Sequence, residues 1–210
     1  MKQFQQIYNQ TMEQTCQSLE EFPWEDMSCY TGWLAQSYYF VRHSTRLLAL
    51  AAGSAPLESD HFHQRFIAHL REELGHEKLL LQDLSSLEQK IQDWPELLET
   101  TLFYEQQYFL VQKHGPGALM GWIIFLEGMA SEFGPRVVER TRNLSKASTR
   151  FLRLHSEEDV DHIQSAFSII AQCELDQNPV FLYNFKSSQH FYLGMLRKIS
   201  EQQQLIKQVC

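Results

Sequence analysis

The chain has 210 residues, of which 43% are hydrophobic and 21% are charged, the proportions of an ordinary globular protein. Its formal net charge of −8 argues against nucleic acid or an anionic membrane surface as the main partner. The longest apolar stretch, about residues 117–130, is too short to span a bilayer and contains Glu127. The four widely spaced cysteines predict neither a disulfide framework nor a structural zinc site. Together with a polar N-terminus that lacks a signal-peptide core, they lead us to expect a cytoplasmic protein.

Helical periodicity dominates the sequence, and no segment has the clear alternation of a β-strand. Gly53, Pro95, the glycine- and proline-rich segment 113–118 and Pro179 separate the predicted helices. We therefore predict an all-α protein that forms a single domain over residues 1–210. Its seven helices are expected at about residues 2–20, 28–52, 59–90, 95–113, 117–140, 147–174 and 178–207.

Residues 154–164, LHSEEDVDHIQ, hold the densest group of chemically active side chains. At 100° per residue, His155, Asp159 and His162 fall within a wedge of about 60° on one helix face. Glu158 borders that wedge. Apolar residues flank this face and favour its turning toward the core, where a metal ion would satisfy three polar groups at once. The alternative is a charged stripe that faces water.

A second cluster contains Glu73 and His76, which form a Glu-x-x-His motif, with His69 and Glu72 on the same side of the predicted helix. Helical bundles use such motifs from different helices, with further carboxylates, to hold pairs of iron or manganese ions. Mixed imidazole and carboxylate ligands suit iron. One such motif also occurs by chance on surface helices, but two on separate helices favour a metal site.

Glu127 interrupts the apolar run WIIFLEGMA and is not expected to be freely solvated. It is either a metal ligand or a buried glutamate paired with an arginine or histidine. Residues 27–57 contain no Asp or Glu, so a ferritin-type set with a further early glutamate is not available. The predicted ligands are therefore Glu73, His76, Glu127, His155, Asp159 and His162, with Glu72, His69, Glu158 and Glu132 as alternatives.

The pattern H-x-x-x-D-x-x-H over residues 155–162 resembles the signature of the heme-oxygenase-like diiron oxidases and oxygenases. The segments EELGHE (72–77) and FLEGMA (125–130) are similar to the other two ligand helices of that family. The resemblance spans most of the chain and implies the heme-oxygenase-like fold, which the TenA thiaminases and the PQQ-synthesis oxidase share. A true heme oxygenase is not expected, because the glycine-rich helix that approaches heme is not evident.

The resemblance implies two Fe(II) ions per chain, bridged by Glu127, that activate O2 to oxidise or cleave a small organic acid. Such acids derive from amino acids or fatty acids in specialised metabolism. We also expect a homodimer and allow for an external electron donor. One departure is His69, which stands where some members have their first glutamate, so that Glu73 or Glu72 must supply the carboxylate.

The segment YYFVRHSTRLLALAAG (38–53) resembles the helix that lines the substrate pocket in that family. Its basic side chains are candidates for binding a substrate carboxylate. The substrate-binding residues expected from this segment are Tyr39, Arg42, His43 and Arg46.

Two other functions stay open. A metal-free hydrolase like the TenA thiaminases would need a cysteine nucleophile, but Cys29 and Cys173 have no evident histidine partner in the sequence. A non-catalytic helical protein that binds a ligand or partner through the same pocket would be favoured if the protein took up no metal.

Overall fold

The computed structural model describes residues 1–144 and 146–209, and of residues 157–162, 164, 165 and 206–209 it describes the backbone alone. The described residues form α-helices joined by loops and short 3₁₀ turns, with no strand among them, so the predicted all-α fold class is confirmed. The α-helices are α1 (Lys2–Glu21), α2 (Met27–Val41), α3 (Ser44–Ser54), α4 (Asp60–Glu72), α5 (His76–Ser86), α6 (Leu98–His114), α7 (Met120–Arg140), α8 (Arg150–Gln172) and α9 (Pro179–Val209).

The predicted second helix is in fact two helices, α2 and α3, which meet at Arg42 and His43. No glycine or proline marks this break. The ring of His43 stacks on Tyr104 of α6, with centroids 3.9 Å apart and planes inclined by 9°. Its Nδ1 also lies 2.9 Å from the hydroxyl of Tyr108. We attribute the break to this packing against α6, which overrides the local helical propensity.

The predicted third helix is also divided, because Gly75 adopts a left-handed conformation with φ of 95° between α4 and α5. Such a residue ends a helix. Glu73 is the residue that follows α4, and His76 begins α5. The prediction that they share one continuous helix face is therefore wrong, and the two side chains approach each other across the break.

The N-terminus of α8 is held by a side chain of α5. Asp83 is fully buried, and its Oδ2 accepts a hydrogen bond of 3.0 Å from the backbone N–H of Phe151. Its Oδ1 lies 3.3 Å from Nη1 of Arg150. Asp83 satisfies a backbone donor that the first turn of a helix leaves without an intrahelical partner. The contact fixes α8 to α5 one turn before His155.

Helix α7 lies between α8 and α9 and approaches both closely at glycine positions. A Cβ atom at Gly121 would lie 2.6 Å from the carbonyl oxygen of Phe181, and one at Gly134 would lie 2.8 Å from Cβ of Ser156. Only glycine permits these separations. The same helix carries Glu127, whose carboxylate contacts Arg65 and His69 of α4.

Within the described part of the chain, every helix falls short of the length and apolarity that crossing a bilayer would require.

Candidate metal centre

Three predicted ligands come together where the α4–α5 break faces α8. Glu73, His76 and His155 each offer one ligand atom, and these atoms all lie within 4.8 Å of one another. Ligands bonded at about 2.1 Å to one ion are separated by roughly 3–4.2 Å. The cluster is thus close to the size of a metal site and needs to contract by only several tenths of an ångström.

The orientation of His155 suits a metal ligand. Its Nδ1 lies 3.0 Å from the carbonyl oxygen of Phe151, one turn earlier on α8, so Nδ1 is the donor in this contact and Nε2 is the ring nitrogen available to a metal. Metal-bound histidines usually have this arrangement, with the other ring nitrogen donating to a carbonyl or carboxylate. The ring of His76 meets the ring of His155 edge to face, with centroids 4.8 Å apart.

Glu73 lies between two imidazoles. Its Oε1 is 3.5 Å from Nε2 of His69, and its Oε2 is 3.2 Å from Nδ1 of His76. Burial by itself would raise the pKa of Glu73, but hydrogen bonds from both imidazoles and the nearby His155 hold this pKa well below its ordinary value. The carboxylate is therefore ionised, as a metal ligand must be. Glu72 is exposed, so Glu73 is the one of these two alternatives that joins the cluster.

Glu127 is buried, with 4% of its surface exposed, and has cationic and imidazole neighbours. Its Oε1 lies 3.4 Å from Nη2 of Arg65 and 3.4 Å from Nε2 of His69. His69 therefore stands between the carboxylates of Glu73 and Glu127. These contacts agree with the second alternative given above for Glu127, a buried glutamate that is paired with an arginine or histidine.

Sequence reasoning missed Arg65. The signal was present, because Arg65, His69 and Glu73 follow one another at spacings of four and so share one side of α4 up to its end.

The remaining predicted ligands divide into two groups. The side chains of Asp159 and His162, and of the alternative Glu158, lie outside those that the structure describes. Glu132 is exposed and accepts a hydrogen bond of 2.7 Å from the hydroxyl of Tyr8, and it is not part of the cluster.

A cavity of about 110 Å³ adjoins the cluster. Its walls are mostly apolar and aromatic, and they include Trp24, Phe40, Trp122 and Phe133. The lining also includes four titratable residues around the candidate centre, namely His69, Glu73, Glu127 and His155. A mostly apolar lining with a few convergent polar groups is typical of ligand sites.

The structure places the four expected substrate-binding residues away from this cavity. Arg42, His43 and Arg46 line a separate surface depression together with Glu77. Nη2 of Arg42 is 3.2 Å from a carboxylate oxygen of Glu96. Tyr39 donates a hydrogen bond of 2.9 Å to the carbonyl oxygen of Trp94.

The two cysteines considered as nucleophiles also lie outside the cavity lining. Cys29 is buried in the core. Sγ of Cys173 lies 3.0 Å from Nε2 of His61, which corrects the expectation that this cysteine has no histidine partner. Burial raises the pKa of the Cys173 thiol, which disfavours the reactive thiolate.

Comparison with known proteins gives a family and a fold. The sequence model of a family described as iron-containing redox enzymes matches residues 31–181. No curated protein matches the chain significantly.

Solved structures match over nearly the whole chain. A domain of unknown function with a heme oxygenase-like fold from Shewanella denitrificans has a TM-score of 0.84 and 17% identity, covering 97% of this chain and 94% of its own. A TenA homologue from Pseudomonas syringae pv. tomato has a TM-score of 0.79 and 14% identity, covering 94% and 92%. A TenA homologue from P. horikoshii has a TM-score of 0.74 and 14% identity, covering 93% and 97%. At these identities the likeness shows the heme-oxygenase-like fold alone.

Proposed function

The chain belongs to the family of iron-containing redox enzymes, and from that premise we propose that it is a non-heme diiron enzyme that uses O2 to oxidise or cleave a small organic molecule. The observation that carries the proposal is the convergence of Glu73, His76 and His155 within 4.8 Å, next to a cavity that Glu127 also lines. We further propose that it acts in the cytoplasm as a homodimer and draws on an external electron donor.

The donor set fits iron, because it combines carboxylate oxygens with imidazole nitrogens and contains no thiolate. Glu73, His76 and His155 would hold the first ion, and Glu127 with the predicted ligands Asp159 and His162 would serve the second. When bound, the irons supply the electrons and the Lewis acidity that the activation of O2 requires.

The described residues prepare the site in three ways. The carbonyl of Phe151 and the cap from Asp83 orient His155 toward Glu73. The imidazoles of His69 and His76 keep Glu73 ionised. The apolar walls of the cavity exclude water from the reacting groups, which strengthens electrostatic interactions there and protects reactive species.

The cavity also indicates what part of the substrate enters it. No Lys or Arg belongs to its described lining, so the cavity offers no permanent cation to a carboxylate. We therefore propose that the apolar body of the substrate occupies the cavity. Among the organic acids that the sequence suggests, this favours a compound derived from a fatty acid.

The proposal is tested by adding Fe(II) to metal-free protein without O2, measuring bound iron, and then recording O2 consumption with an oxygen electrode. We expect two irons per chain in the wild type. His155→Gln should lose the first ion and the O2 consumption. His63→Gln is the matched control, because His63 contacts the carbonyl of Ala52 and takes no part in the cluster. Iron uptake that survives His155→Gln unchanged would refute the assignment.

A metal-independent hydrolase is the second candidate, favoured by the fold shared with TenA homologues and by the Cys173–His61 contact. Such an enzyme would keep its activity in the presence of a strong chelator and lose it in Cys173→Ser. The diiron enzyme would lose its activity in the presence of the chelator and keep it in Cys173→Ser.

A further inference from the structure

Arg65 is a buried cation beside Glu127. The side chain of Arg65 is only 9% exposed and that of Glu127 is 5% exposed, and Nη2 and Oε1 lie 3.4 Å apart. Nε of Arg65 is also buried and has no hydrogen-bond partner among the described residues. Arginine is rarely buried unless it is paired, because removing its charge from water is costly. The pairing with Glu127 thus offsets the burial of Arg65 in the metal-free protein.

The two central carboxylates differ in the charge of their neighbours. The described neighbours of Glu73 are imidazoles, which can be neutral and can themselves bind a metal. Glu127 contacts a guanidinium, which stays positively charged at any ordinary pH and has no lone pair to offer a metal. A metal ion can therefore join Glu73 without meeting a fixed cation, whereas an ion at Glu127 competes with Arg65.

The charge balance points the same way. Two Fe(II) ions bring four positive charges, and the predicted carboxylates Glu73, Glu127 and Asp159 bring three negative ones. Arg65 raises the remaining net charge from one to two in a buried region, where charges interact more strongly than in water. Binding of the second ion is the step that this extra charge opposes.

We infer that Arg65 is a counter-cation that Glu127 exchanges for the second iron ion, so that the two ions load in a fixed order, the first at Glu73, His76 and His155. This inference rests on the proposed diiron site. It assigns to Arg65 a role in metal loading rather than in the reaction.

The test measures two successive metal affinities by anaerobic equilibrium dialysis, with Fe(II) and with redox-silent Mn(II). In the wild type we expect a tighter first ion and a weaker second ion. Arg65→Met should strengthen binding of the second ion at least about tenfold and leave the first unchanged. Arg65→Lys, which keeps the charge, should stay within about threefold of the wild type. Arg71→Met removes an exposed arginine from the same helix and should change neither affinity.

A second readout covers the case in which Arg65→Met folds poorly. The double variant Arg65→Met/Glu127→Gln lacks both charges, so the metal-free protein should regain its stability. When metal is added, this double variant should bind only one ion. The midpoint of thermal unfolding without metal should fall in Arg65→Met and recover in the double variant, because the two charges depend on each other.

The outcomes separate this inference from the proposed function. If the wild type binds metal but Arg65→Met has an unchanged or weaker affinity for the second ion, this inference fails and the proposed function stands. If Arg71→Met has the same effect as Arg65→Met, it also fails alone. If the wild type binds no metal, both proposals fail.

Discussion

His43 immediately precedes α3, and its imidazole packs against α6. It stacks on Tyr104, and its Nδ1 contacts the hydroxyl of Tyr108. Its Nε2 is buried and has no hydrogen-bond partner among the described residues, so a proton added there would find no acceptor. Burial, followed by the positive charge of Arg42, lowers the pKa of His43. The ring is therefore neutral at pH 7.

His43 should make folding stability depend on pH. Its pKa is lower in the folded protein than the ordinary value of 6.5, so the unfolded chain binds more protons just below that pH. The stabilisation from its neutral form is present above about pH 6.5 and is lost as the pH falls toward the folded pKa. Urea unfolding between pH 7.5 and 5 should show a smaller decline in His43→Gln than in the wild type. Equal declines in the two proteins would contradict this account.

At the scale of single residues, the sequence predicted the three residues of the cluster but not the neighbouring ion pair between Arg65 and Glu127. Glu73, His76 and His155 were predictable because two groups of histidines and carboxylates, on separate predicted helices, together favour a metal site. The contact between Arg65 and Glu127 joins residues 62 positions apart, and only tertiary packing decides which buried cation meets which carboxylate. The same reason explains why the placement of Arg42 outside the cavity was not foreseen.

At the scale of elements, the break between α4 and α5 creates the cluster. Gly75 has a φ of 95°, and a Cβ atom added there would meet no heavy atom within 4 Å. Gly75→Ala should therefore act through backbone strain alone, lowering the free energy of unfolding by about 1–2 kcal/mol. Gly75→Asn should cost less, because asparagine tolerates the left-handed region.

The same substitution should also affect the metal site, because Glu73 and His76 flank Gly75. Metal affinity of Gly75→Ala should fall, and Gly75→Asn should retain more of it. Urea unfolding and metal dialysis measure the two effects. A stable Gly75→Ala variant with wild-type affinity would show that the break is not needed.

The cap from α5 to α8 is a second device that positions the site. In Asp83→Ala, the backbone N–H of Phe151 loses its acceptor and Arg150 loses its carboxylate partner. We expect the free energy of unfolding to fall by about 2–4 kcal/mol, from the lost cap and a buried donor left unsatisfied. Asp83→Asn, which keeps one acceptor oxygen, should lose less. A change below about 0.5 kcal/mol in the alanine variant would mean that Asp83 does not hold α8.

The helices themselves were predictable, and their internal breaks were not. Apolar periodicity and the turn residues at 113–118 located most elements. The break at Arg42 and His43 has no local signal, because its cause lies in contacts with α6. Gly75 did provide a signal, but an isolated glycine is tolerated inside helices often enough that the pattern favoured continuity.

At the scale of the whole molecule, fold and function are separate conclusions. Structures only 14–17% identical share the fold over more than nine-tenths of this chain, and TenA homologues are among them. A fold that carries different chemistries does not select one of them. The chain belongs to a family described as iron-containing redox enzymes, and the cluster of Glu73, His76 and His155 supports the proposal that it binds iron.

The most direct test of the diiron proposal is a crystal structure of protein loaded anaerobically with Fe(II), with data collected at the iron absorption edge. The account predicts one anomalous peak in contact with Glu73, His76 and His155 and a second beside Glu127. A map without a peak at the cluster, or with iron bound only elsewhere, would contradict the proposed site, and a fully occupied first peak with none beside Glu127 at saturating iron would contradict its diiron form.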